Sequence, residues 1–140
     1  MTLDQWIQKY NEKTDEPFKR DTRFELFYLA DRGFCEVGLS DNKKMFIINQ
    51  LCGDARYWKD KVDLLARSQQ VGMCGTWCIR PEIKAYIRLF GFKVIQQERL
   101  NDGSIKYVGK HKDTGKLGWA TPAYKYNDTG TQAYFITWIP

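Results

Sequence analysis

The chain has 140 residues, of which 43% are hydrophobic and 28% charged, with a formal net charge of +5. That length suits one domain, and the apolar share with so modest a net charge excludes a disordered chain. Aliphatic runs far shorter than the roughly 20 residues needed to cross a bilayer exclude a membrane helix.

The first helix is marked by Leu3, Trp6, Ile7 and Tyr10 at helical spacing, with Thr2-Leu-Asp-Gln5 in the form of a capping box. Asp15, Glu16 and Pro17 end it. Phe24–Leu29 reads equally as a short strand or a helical turn. Gly33–Leu39 and Met45–Leu51 read as strands joined by the turn-forming Ser40-Asp41-Asn42. From Tyr57 to Gln69 the period becomes helical: Trp58, Val62, Leu65 and Ala66 form the apolar stripe, while Lys59, Asp60, Asp63 and Arg67 face elsewhere. Met73–Ile79 is a strand, and a helix is predicted from Arg80-Pro81 because proline suits a first helical turn. Ile83, Tyr86, Ile87 and Phe90 share a face of that helix, and Gly91 stops it. Phe92–Arg99 is a strand. Turn signals at Asn101-Asp-Gly103, Asp113-Thr-Gly115 and Asn127-Asp-Thr-Gly130 then set off three antiparallel strands, Ser104–Lys112, Lys116–Pro122 and Gln132–Ile139. The expected fold is α/β: a mixed sheet with helices on both faces and a C-terminal antiparallel hairpin extension, all within one domain over 1–140.

Asp4 and Gln5 interrupt the N-terminal stretch, so no leader is expected and the chain reads as cytoplasmic. Cys35, Cys52, Cys74 and Cys78 do not form a C-x-x-C pattern and His111 is the single histidine. Free thiols and no metal site are the expectation. A sequence pI near 9.0 fits a phosphate-bearing ligand, nucleic acid or coenzyme A alike.

Between Met45 and Val94 the order is strand, glycine-containing loop, helix, strand, helix, Gly-Phe, strand. Gln50-Leu51-Cys52-Gly53-Asp54-Ala55 fits a Q/R-x-x-G-x-G/A loop, and Gly91-Phe92 stands where the second helix gives way to a strand. In this the chain resembles the GNAT superfamily of N-acetyltransferases, and in its brevity the compact members familiar among phage-encoded proteins. The resemblance implies acetyl-CoA as cosubstrate and an amine or protein acceptor. It also implies phosphate contacts from Gln50, Leu51, Cys52, Gly53, Asp54 and Ala55, with Arg56 and Lys59 adding positive charge. The physics of such a loop is general: first-turn amides lack intrahelical partners and attract phosphate oxygens where side chains are small.

The resemblance further implies a tyrosine that protonates the departing thiolate. The family's position for it holds Ile87 here, with Tyr86 one place away, so Tyr86 is the candidate acid. No carboxylate occurs between Met45 and Asp54, which leaves Glu36 or Glu25 as candidate base. Asp54 inside the loop can cap the following helix itself. These departures support a second reading, a non-catalytic accessory or inhibitor protein that binds a macromolecular partner.

Arg99, Lys106, Lys110, His111, Lys112 and Lys116 gather on the first C-terminal hairpin with Tyr107 and Trp119 among them. Such interleaving can hold nucleic acid or keep an exposed edge strand from pairing with other chains; the second is preferred. His111 is expected at the surface. Tyr134–Trp138 is expected in the sheet core or at a homodimer seam.

Overall fold

The computed structural model describes residues 1–14, 16–125 and 130–140. Helix α1 runs Leu3–Lys13, followed by β1 (Glu25–Leu29), β2 (Gly33–Leu39), β3 (Phe46–Gly53), α2 (Ala55–Ser68), β4 (Cys74–Cys78) and α3 (Ile83–Leu89). The remainder is a run of strands, β5 (Phe92–Arg99), β6 (Ile105–His111), β7 (Leu117–Lys125) and β8 (Gln132–Trp138). All eight strands form one open mixed sheet in the order β1-β2-β3-β4-β8-β7-β6-β5. The expected α/β mixed sheet is present. Among the described residues no helix is long and apolar enough to cross a membrane.

The capping box at Thr2 forms as expected, with the Thr2 amide donating to Gln5 Oε1 at 2.8 Å and the Gln5 amide to Thr2 Oγ1 at 3.2 Å. Phe24–Leu29 resolves as strand from Glu25, because pairing with β2 supplies the ladder that a lone turn would lack. The helix expected from Pro81 starts at Ile83. Gly91 takes φ +89°, which ends α3 as expected. The turn expected at Asn127-Asp-Thr lies outside the described residues.

Strand alternation sorts the helices onto two faces. Phe34 and Cys52 pack with Trp6 of α1, where Tyr10, Phe18 and Phe34 form a ring cluster. The neighbouring Cys35 and Val37 point the other way, into the larger core shared with Trp58, Val62 and Ala66 of α2 and Ile83 and Ile87 of α3. All four cysteines are buried free thiols.

Three expectations from polarity fail. Lys59 and Asp63 do not face solvent; both are buried, their side chains 2.5 Å apart, and Asp63 Oδ1 accepts from the Trp138 indole at 2.6 Å. Lys59 also lies over the rings of Phe92 and Trp138, so an ion pair and two aromatic faces replace its water shell. His111 is buried too, its Nδ1 accepting from the amides of Asp113 and Thr114, while its ring stands edge-on to Phe92. It locks the β6–β7 turn instead of decorating the surface. Tyr107 is buried in the core and β6 is an internal strand. That ring is therefore unavailable for stacking on a base, and the sheet edge is β5. β8 lies between β4 and β7, so Tyr134–Trp138 belongs to the sheet interior.

Candidate functional site

Among the described residues one strand pair is parallel, β3 with β4, and the sheet opens there. β3 stays paired with β2 as far as Gly53, and β4 stays paired with β8 from Cys74 to Cys78. β3 and β4 themselves pair only through Phe46–Ile48 and Cys74–Thr76. Opposite this point the β2–β3 register shifts, Val37 facing Ile48 and Glu36 facing Gln50, so Asn49 is an extra residue. A bulge of this kind bends its strand. Thr76 caps the fork, its hydroxyl donating to the Ile48 carbonyl at 2.9 Å from a buried position. Beyond it the two strands part as a V.

The V opens into a cavity of about 820 Å³, walled by the end of α1, the segment before β1, residues 49–53 of β3, residues 76–80 at and after β4, and Tyr86, Leu89 and Tyr124. That is large enough for a drug-sized or cofactor-sized ligand. Tyr86 of α3 lines it, together with Thr76. Burial pushes its phenol well above the usual tyrosine range and Cys78 and Tyr10 add to this, while Arg80 and Thr76 pull the other way. The shift favours the neutral phenol, whose O–H can donate a hydrogen bond.

Glu36 does not line the cavity; it ties one wall together from behind. The carboxylate is inaccessible to water and accepts from Asn49 Nδ2 (2.7 Å), Gln50 Nε2 (2.8 Å), Arg20 Nη1 (2.8 Å) and the Asp21 amide (3.0 Å). Burial pushes its ionisation up, but these four donors together outweigh it and hold the carboxyl below its usual range. With its lone pairs so engaged, Glu36 is a structural anion. Gln50 extends the same network, bonding both the amide and the carbonyl of Lys19.

The glycine loop divides. Gln50, Leu51, Cys52 and Gly53 line the cavity, whereas Asp54, Ala55 and Arg56 do not. Gly53 has φ +108°, and a Cβ there would sit 2.3 Å from the Arg32 carbonyl. Its glycine is dictated by close approach to the β1–β2 turn, independently of any ligand. Asp54 caps α2: its carboxylate accepts from the Tyr57 amide at 3.0 Å and pairs with Arg32 at 2.5 Å. The Tyr57 amide, more than Arg32, holds that carboxyl below its usual range, and the Arg56 amide contributes. The α2 start, where a phosphate would go, already holds an anion. Ala55 is packed in the core and Lys59 is committed to Asp63, so neither presents itself to a phosphate; Arg56 is exposed.

Sequence reasoning missed Lys13, Lys19, Thr76, Trp77, Arg80 and Tyr124, which the fold brings to this cavity. They come from separate stretches of chain and share no spacing. The one local signal is Thr76-Trp-Cys-Ile-Arg80, a strand that runs polar and aromatic where a buried parallel strand is normally aliphatic. Compared with family models, with curated proteins and with solved structures, the chain finds no match.

Proposed function

We propose that this chain is an acyl-CoA-dependent N-acyltransferase that holds acetyl-CoA in the V between β3 and β4 and passes the acetyl group to an amine. The observation that carries the reading is the parting of the parallel pair beyond Ile48 and Thr76, with Tyr86 lining the cavity that opens there. Past the fork, no strand among the described residues pairs with the side of β3 that faces away from β2. An amide-rich chain such as pantetheine can complete that ladder, which would bring its thioester to the fork.

Much of the rate would come from holding amine and thioester together. The neutral amine attacks the thioester carbonyl; the C–N bond forms, the C–S bond breaks, and the electron pair leaves on sulfur. Tyr86 gives its proton to the thiolate and regains one from water. The amine loses its proton to water at the cavity mouth, since Glu36 is engaged on all sides.

A second reading, a non-catalytic accessory or inhibitor protein built on the same scaffold, is favoured by the Asp54–Arg32 pair that occupies the α2 start. Turnover separates the two. With acetyl-CoA and a mixed amine panel, thiol release should be seen with the parent and fall about a hundredfold in Tyr86→Phe, with CoA affinity and stability little changed. CoA binding without turnover above background in the parent would favour the accessory reading.

A further inference from the structure

The cavity carries a charge pattern that the glycine loop does not explain. Five cations line it, with two carboxylates, Glu16 and Asp21. Two of the cations are already matched: Arg20 is held by Glu36 at 2.8 Å and Arg23 by Asp21 at 2.7 Å. Lys13, Lys19 and Arg80 form no ion pair among the described residues. They come from the end of α1, the segment leading to β1 and the stretch after β4, so three unrelated pieces of chain bring unmatched positive charge to one concavity. Burial pushes the Cys52 thiol up, while Lys13, Lys9 and Arg80 draw it down, and Arg80 acts in the same sense on Tyr10 and Tyr86. The cavity lining also includes an aromatic pair, Trp77 and Tyr124, with ring centroids 5.9 Å apart and both residues exposed.

We propose that Lys13, Lys19 and Arg80 are the phosphate subsite of this cavity, taking the anionic end of a nucleotide-type ligand whose base lies against Trp77 and Tyr124. The proposal rests on the acyl-CoA reading for the identity of that ligand. It departs from the expectation that the Gln50–Ala55 loop and the first turn of α2 hold the phosphates. That turn is closed by the Asp54 carboxylate, which a phosphate would have to displace against like charge, and Arg56 beside it does not line the cavity. Cations in a concavity with low-dielectric walls attract phosphates more strongly than the same charges on an open surface.

The experiment is calorimetry of the full chain with CoA, with adenosine 3′,5′-bisphosphate and with acetyl-pantetheine, which has no phosphate, each at several salt concentrations. The triple variant Lys13→Gln/Lys19→Gln/Arg80→Gln should bind CoA and the bisphosphate at least about tenfold more weakly for each cation removed. Its salt dependence should be flatter, and its affinity for acetyl-pantetheine unchanged. Arg56→Gln should behave as the parent. If CoA binds and the triple variant holds it as tightly as the parent, or if Arg56→Gln alone weakens it, the subsite is elsewhere; the acyl-CoA reading survives that result. If the parent binds the bisphosphate through these three residues but shows no gain from the pantetheine arm, the subsite stands and the acyl-CoA reading falls. If the parent binds neither phosphate ligand, the subsite is refuted. Should the triple variant fail to fold, Lys13→Gln/Lys19→Gln makes the same comparison, since both side chains are exposed.

Discussion

Glu36→Gln is the substitution that best probes how the cavity wall is held. Glu36 joins the bulge at Asn49, the cavity residue Gln50 and the Arg20–Asp21 segment through four donors. Glutamine is nearly isosteric and keeps one acceptor oxygen. Its amide nitrogen must then face either Asn49 and Gln50 or Arg20 and the Asp21 amide, donor against donor. Arg20 is 38% exposed and turns to water at little cost, so its ion pair counts for little. The loss is thus about two hydrogen bonds at buried positions, or about 2–4 kcal/mol. Urea unfolding at neutral pH reads this as a lower midpoint with unchanged slope. The pH dependence supplies an independent check. Because the folded-state carboxyl lies below the ordinary 4.5, its stabilisation is fully present above that value and is lost as pH falls through the lower folded value. The parent should therefore lose stability on that acid limb, and Glu36→Gln should lose less. Equal urea midpoints for parent and variant, or identical acid limbs, would refute the assignment of Glu36 as a structural anion.

Lys59→Met leaves Asp63 buried without its cation, so it should destabilise by about 3–5 kcal/mol, and Lys59→Met/Asp63→Leu should recover much of that in a chemical-denaturation cycle. Ala55→Glu should cost about 2–4 kcal/mol because Ala55 is in the core; a melting temperature equal to the parent's would contradict this packing.

Much of the architecture was legible because it is written in local period and punctuation. Thr2 with Gln5, the stripe Trp58–Val62–Ala66, Gly91 after α3 and the turn glycines Gly103 and Gly115 each state their conformation within a few residues. The misread residues are those whose environment is set by distant chain. Lys59 and Asp63 look like a solvated helix face until Trp138, at the far end of the sequence, supplies the indole that closes their network. His111 looks like one more cation of a basic hairpin until its own turn wraps amides around Nδ1. Polarity patterns reveal which residues prefer water, but a buried pair that satisfies itself carries no mark of its burial.

The site was half legible for the same reason. The stretch Gln50–Gly53 could be singled out by motif, and Tyr86 as the tyrosine one place off the expected position; both line the cavity. No local pattern announces that the sheet forks there, because the fork depends on β8 drawing β4 one way while β2 and the Asn49 bulge draw β3 the other. Nor does any motif show that Gly53 answers to the Arg32 carbonyl and Asp54 to the Arg32 side chain. A run of small residues before a helix is satisfied equally by a phosphate loop and by a tight strand-to-helix turn that caps itself.

Amide hydrogen exchange with and without CoA tests most directly whether the ligand lies in the V between β3 and β4. Saturating CoA should slow exchange in residues 49–53 and 77–80, which border the open V, and leave residues 55–57 at the start of α2 unchanged. Protection concentrated at residues 55–57, or no protection anywhere at millimolar CoA, would contradict that placement.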